Sequence, residues 1–200
     1  ISVEDGRLIK ADERMQLDFN SIAKGYTVDL AVEELERLGV ENYLVDIGGE
    51  VRCRGVNPNG GAWCVGVETP FEGNNTPGAH IQQVVSLSDC AMATSGNYRR
   101  YYIDSQGRKV VHTIDPRTGY SVDSDLLSAT VVAATCAEAD ALCTMFMAMG
   151  KVRAIEVAKE LATQGIKVYF IAAGEGDNFE VYYSEKLAPA LKYLEGYHSI

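Results

Sequence analysis

Apolar positions recur along this chain with two different periods, and the change of period separates strand from helix. Ile1–Asp18 reads as a short hairpin turning at Asp5-Gly6. Ser21–Leu38 follows a helical period, with Ile22, Tyr26, Leu30 and Leu38 near one face. Asn20 or Ser21 would cap its start, and Gly39 is its stop. A β-rich stretch comes next. Tyr43–Asp46 is ended by Gly48-Gly49, and Val51–Val56, Trp63–Glu68 and His80–Ser88 are further strands. Asn57–Ala62 and Pro70–Gly78 are loops rich in Gly, Pro and Asn. Tyr98–Asp104 and Lys109–Ile114 form a hairpin around Ser105-Gln106-Gly107, Asp115–Tyr120 is a loop, and Ser128–Ala134 is a strand. Thr135 through Glu138 fits a capping box, opening a helix that runs to Met149 and stops at Gly150. A second helix covers Val152–Thr163 and stops at Gly165. Lys167–Ala172 and Phe179–Tyr183 make a final hairpin. Antiparallel strands with helices in two separate groups predict an α+β sandwich of antiparallel sheets with helices packed on them.

Composition narrows the function more than the fold. The 200 residues are 46% hydrophobic and 23% charged, enough for one domain with a real core. The formal net charge is -10 and there is no basic run, which argues against a nucleic-acid partner. A phosphorylated ligand remains open, because one metal ion inverts a local acidic field. The five cysteines, Cys53, Cys64, Cys90, Cys136 and Cys143, are widely spaced with no CxxC. They predict neither a disulfide framework nor a zinc site, but small buried hydrophobes. No stretch is long and apolar enough to cross a membrane, and the chain begins at Ile1 without a signal peptide.

Three segments offer chemistry. In Asp140-Ala-Leu-Cys-Thr144 a spacing of four puts a carboxylate and a hydroxyl on one helix face. Hard cations such as Mg²⁺ take such oxygen ligands. The alternative is a solvent-facing Asp and a Thr bonded to its own helix. The helix is apolar nearly all round and so expected to be buried, and a metal would compensate a buried Asp. In His112-Thr-Ile-Asp-Pro-Arg-Thr-Gly119 a strand carrying His112 enters a turn. His112 is either a base for a hydroxyl proton or a structural strand residue. Arg117 is either a phosphate partner or a solvated turn charge. Leu17–Gly25 leads from a strand end to a helix start, where free amides and Lys24 attract anions, or which is simply a capped helix. Two smaller pieces are Asp46-Ile-Gly-Gly49, a turn open to close backbone approach, and Ala93-Thr-Ser-Gly96, small hydroxyls at a loop.

The order LDFNSIAKGYTVD, YLVDIGGEVR, ATSGNYRR, HTIDPRTG, ADALCT resembles the ApbE family of FAD:protein FMN transferases, from about Leu17 to Gly150. The resemblance implies Mg²⁺ and, as substrate, FAD. It assigns Asp140 and Thr144 as metal ligands, with Ser21 adding a backbone carbonyl. Lys24 falls where the family contacts FAD, and Ile114 where backbone meets the flavin nucleotide. Asp46, Gly48, Gly49 and Ser95 line the same cleft, and His112 is the catalytic histidine. The implied reaction moves FMN from FAD to a threonine and releases AMP; water in place of threonine gives FAD hydrolysis. The implied acceptor is a flavoprotein subunit of a membrane redox pump with a D-G-x-[ST]-G-A-[ST]-like site, and the implied location is a periplasmic lipoprotein. Family members carry a sizeable segment before LDFNSIAKG that supplies part of the FAD pocket. Here Ile1–Gln16 precede it, so the expectation is one catalytic domain over residues 1–200 without that segment, either active or a non-catalytic flavin-binding form.

Overall fold

A computed structural model of the chain describes residues 1–71, 73, 74, 76, 78–97, 101–107, 109–122, 124–176 and 178–200, with the backbone alone at 101 and 109. Tyr98, Arg99 and Arg100 of the ATSGNYRR segment, and residues 72, 75 and 77 of the Pro70–Gly78 loop, lie outside the described residues.

Seven strands join in one large sheet. The elements run β1 (Ser2–Glu4), β2 (Arg7–Ile9), α1 (Ala23–Arg37), β3 (Tyr43–Ile47), β4 (Glu50–Arg54), β5 (Trp63–Glu68), β6 (Ile81–Leu87) and β7 (Cys90–Gly96). They continue with β8 (Tyr101–Ile103), β9 (Lys109–Val111), β10 (Leu126–Ala133), α2 (Cys136–Met149), α3 (Lys151–Leu161), β11 (Lys167–Ala173), β12 (Phe179–Tyr183) and β13 (His198–Ser199). The order in the large sheet is β13-β12-β11-β10-β7-β4-β3, antiparallel except for the parallel β12–β13 pair. This is the α+β arrangement expected from the sequence.

Central strands bury both faces, and the period of two sends successive side chains to opposite cores. On β11, Val168 and Phe170 pack under α2 and α3 with Phe146, Met147 and Ala154. Tyr169 and Ile171, between them, pack on the other side with Val85 and Leu87 of the β5–β6 hairpin. The same division places Val131 of β10 on the helix side and Val132 on the hairpin side. The helices thus cover one face of the sheet, and a separate two-stranded hairpin covers the other.

Several sequence expectations need correction. The helix expected from Ser21 begins at Ala23, its N-cap is Ile22, and no side chain caps it. Asn20 is instead held by Asp18, whose Oδ1 accepts the Asn20 amide at 2.7 Å. The predicted apolar face of α1 is not the buried one: Tyr26, Leu30 and Leu38 are 56%, 46% and 63% exposed. The buried face is Gly25, Val28, Asp29 and Val32. A glycine and an aspartate hold it because one allows close approach and the other makes ionic contacts. Ala93–Gly96 is not a loop but the end of β7, paired with β10 through Ala93↔Val131 and Ser95↔Ala129. His112 lies just beyond β9 rather than within a strand. Cys53, Cys136 and Cys143 are buried as expected, whereas Cys64 is exposed and Cys90 half-buried.

Candidate functional site

The site forms where the start of α1 meets α2 and the β3–β4 hairpin. Gly25 makes the meeting possible. A Cβ at this position would stand 2.3 Å from the Cys136 carbonyl oxygen and 2.8 Å from Asp140 Cβ. With no side chain there, Asp140 of α2 reaches the first turn of α1, where amides have no intrahelical acceptor. Its Oδ2 accepts the Gly25 N–H at 3.0 Å. That amide is turned to Asp140 and not to the carbonyl of Ser21, four residues back.

Lys24, beside Gly25, directs its ammonium to Glu50 Oε1 at the start of β4. The lysine side chain is half exposed, while Glu50 is buried. Gly48-Gly49 makes this possible from the other side. Ile47 and Glu50 are register partners across a two-residue turn. Both turn residues have positive φ, 68° and 100°, as a type I′ hairpin turn requires. Asp46 closes the same turn, its Oδ1 accepting the Gly49 amide at 2.9 Å. Lys24 Cδ and Glu50 Oε2 lie just outside Gly48.

Asp29, one turn further along α1, fixes the two helices together. It accepts the Cys136 and Ala137 amides at 3.0 and 2.9 Å, capping α2, and pairs with Arg52 of β4 at 2.6 Å. Thr135 adds the local cap, its hydroxyl accepting the Glu138 amide at 3.3 Å.

The electrostatics of this corner are acidic. Burial pushes the Asp140 carboxyl above its ordinary range, opposed by the Gly25 amide and the Lys24 charge. Burial also pushes Glu50 up; Lys24 opposes this and the nearby Asp140 charge adds to it. Cys136 reports the same field: its thiol is pushed up to about 12, first by burial and then by Asp29, Glu50 and Asp140. Glu50 Oε2 is buried and has no hydrogen-bond partner. A buried carboxylate oxygen left unpaired costs free energy that a cation would recover. Among the described residues no three His, Cys, Asp or Glu side chains gather as a metal cluster. The donor set still fits a hard cation such as Mg²⁺, which takes one or two carboxylates and completes its shell with water or phosphate.

Thr144 is half-buried one turn beyond Asp140. Ser95 lies on the helix-covered face of β7, the face of Ala93, whose carbonyl accepts the Cys143 thiol at 3.1 Å. His112 is exposed on the segment after β9. That segment is tied to the end of β7 by Thr113, whose hydroxyl donates to Asn97 Oδ1 at 2.9 Å, with both residues buried. Ile114 is half exposed and bridges to Ser121. Arg117, considered as a phosphate partner, pairs with its own turn residue Asp115 at 2.9 Å. The structure therefore gathers Lys24, Gly48, Gly49 and Asp140 around one corner, with Asp46 fixing the turn. It places His112 and Ile114 on a separate loop. The sequence alone does not single out Glu50, Asp29, Arg52 or Gly25. Glu50 and Arg52 stand inside the YLVDIGGEVR segment, but nothing in their spacing signals burial.

The sequence profile of the ApbE family matches residues 1–170. A FAD:protein FMN transferase of Haemophilus influenzae is 39% identical over 168 residues, which is 84% of this chain and 46% of that protein. The Escherichia coli K12 protein of the same name is 36% identical over 170 residues, 85% of this chain and 46% of the relative. Among solved structures, the apo flavinyl transferase ApbE of Pseudomonas stutzeri aligns with a TM-score of 0.78 at 35% identity, covering 94% of this chain and 55% of that one. The ApbE protein of Thermotoga maritima aligns at 0.73 with 30% identity, covering 88% and 53%. The chain spans about half the length of the curated relatives it matches.

Proposed function

This chain belongs to the ApbE family, and on that premise we propose that it works as an Mg²⁺-dependent FAD:protein FMN transferase, attaching FMN to a threonine of an acceptor protein. The observation that carries the reading is the convergence of two buried carboxylates, Asp140 and Glu50, on Gly25 and Lys24 at the start of α1.

Asp140, Thr144 and the Ser21 carbonyl are the groups that would hold the metal. Bound Mg²⁺ supplies Lewis-acid polarisation of the FAD diphosphate and neutralises charge on the departing phosphate. The chain's own residues do the rest. Lys24, half exposed beside Glu50, presents a cation to the phosphate oxygens. Gly48 and Gly49 let the β3–β4 turn come close to the substrate without side chains in the way. His112 takes the proton from the acceptor threonine hydroxyl. The threonine oxygen then forms a bond to the FMN phosphorus, and the bond from that phosphorus to the bridging oxygen breaks. AMP leaves with the bridging oxygen, and FMN remains on the acceptor as a phosphodiester. The acceptor in this reading is a flavoprotein subunit of a membrane redox pump with a D-G-x-[ST]-G-A-[ST]-like site.

The experiment follows AMP release and acceptor mass together, with the chain, FAD, Mg²⁺ and an acceptor peptide bearing that site. AMP and modified peptide are expected in equal amounts, and His112→Ala should abolish both while FAD binding persists. AMP formed at the same rate with no peptide present would assign the chain to FAD hydrolysis instead.

A further inference from the structure

The flavin chemistry uses none of the five cysteines, yet the sheet brings two of them face to face. Cys53 of β4 and Cys90 of β7 are register partners in the antiparallel ladder. Directly opposed residues share a face, with Cα atoms about 4.5–5.5 Å apart. That separation lies within the span a disulfide bridges. Both side chains belong to the core on the hairpin side of the sheet. Cys53 Sγ lies 3.6 Å from the Cys90 carbonyl oxygen, and both thiols are free in this structure.

We propose that Cys53 and Cys90 are a dithiol–disulfide pair, a cross-strand oxidation site distinct from the flavin corner. Their exposures divide the roles. Cys90 is half-buried and reachable from solvent, while Cys53 is buried behind it. The neighbouring Cys53 side chain lowers the Cys90 thiol below the ordinary cysteine range, and Cys90 is the more exposed of the two, so Cys90 is the sulfur that attacks. The Cys90 thiolate attacks one sulfur of a small-molecule disulfide such as oxidised glutathione, forming a mixed disulfide and expelling one glutathione thiolate. Cys53 then gives up its proton, and its sulfur attacks Cys90 Sγ and expels the second glutathione. Two electrons and two protons pass from the pair to the oxidant, which leaves as two thiols. The new bond closes a loop containing the whole β5–β6 hairpin, so oxidation restrains the unfolded chain and raises stability.

The test treats the chain and its Cys64→Ser variant with oxidised glutathione, alkylates the remaining thiols and maps the peptides without reduction. The expected result is the loss of two titratable thiols, a Cys53–Cys90 linked peptide in both proteins and a denaturation midpoint that rises on oxidation and returns with dithiothreitol. Cys53→Ser should stop at a glutathione adduct on Cys90, and Cys90→Ser should leave Cys53 unmodified. Recovery of Cys53 and Cys90 fully alkylated, or a disulfide that maps to Cys64 or joins two chains, would overturn the proposal.

Discussion

Glu50 is the residue whose environment is hardest to explain by folding alone. It is buried, its Oε1 accepts from a half-exposed lysine, and its Oε2 has no partner. Desolvating a carboxylate this way opposes stability, and one contact with a solvated ammonium offsets only part of it. In the proposed enzyme this cost maintains a negative corner for metal and diphosphate. Glu50→Gln keeps the shape and an acceptor for Lys24 but removes the charge. Its unfolding free energy should be unchanged or higher by about 1 kcal/mol. Its rate of FMN transfer should fall at least about tenfold, equivalent to ~1.4 kcal/mol in activation free energy. Denaturant unfolding and turnover measured on one preparation check both halves. A less stable variant with undiminished transfer would make Glu50 a structural residue.

At the scale of elements, α1 decides the geometry, and its sequence is misleading about how. Ile22, Tyr26, Leu30 and Leu38 draw the eye to one face, but three of these four are well exposed. The face that packs is written in Gly25, Val28, Asp29 and Val32. Hydrophobic periodicity cannot see it, because Gly25 works by lacking a side chain and Asp29 by capping a helix more than one hundred residues away. Gly25→Ala tests the close approach. Alanine favours a helix interior by about 1 kcal/mol over glycine. Here its Cβ would meet a backbone carbonyl at 2.3 Å, and overpacking costs typically about 1–3 kcal/mol. The clash is with backbone of the capped first turn of α2, which has little room to move, so net destabilisation is expected. Leu30→Ala on the exposed face should stay within about 0.5 kcal/mol. Urea unfolding of the two variants would contradict this packing if their order were reversed.

For the whole molecule, legibility followed the physics of burial. Strands with clear flanking turns were readable: Trp63–Glu68 and Phe179–Tyr183 appear with the bounds expected. The end of β7 is not, because Ala93-Thr-Ser-Gly96 has the small polar composition of a loop and becomes a strand only by pairing with β10. The short β13 was invisible for a similar reason, being defined by its parallel pairing with β12. At the site, Asp140 is legible because an acid past the first turn of an otherwise apolar helix is conspicuous. Glu50 was not, since an acid beside Gly48-Gly49 looks like ordinary turn chemistry. The sheet, the glycine turn and the Gly25 contact together bring residues from α1, β4 and α2 to one corner, and the account stands on that convergence.

The most direct measurement is the mass of an acceptor peptide after incubation with FAD, Mg²⁺ and either the chain or its Asp140→Asn variant. The substitution keeps an acceptor for the Gly25 amide, so the fold is retained while the charge is lost. The account predicts covalent FMN on the peptide with the parent chain, its loss when Mg²⁺ is chelated, and none above background with Asp140→Asn. Equal flavin attachment by a folded Asp140→Asn variant would contradict it.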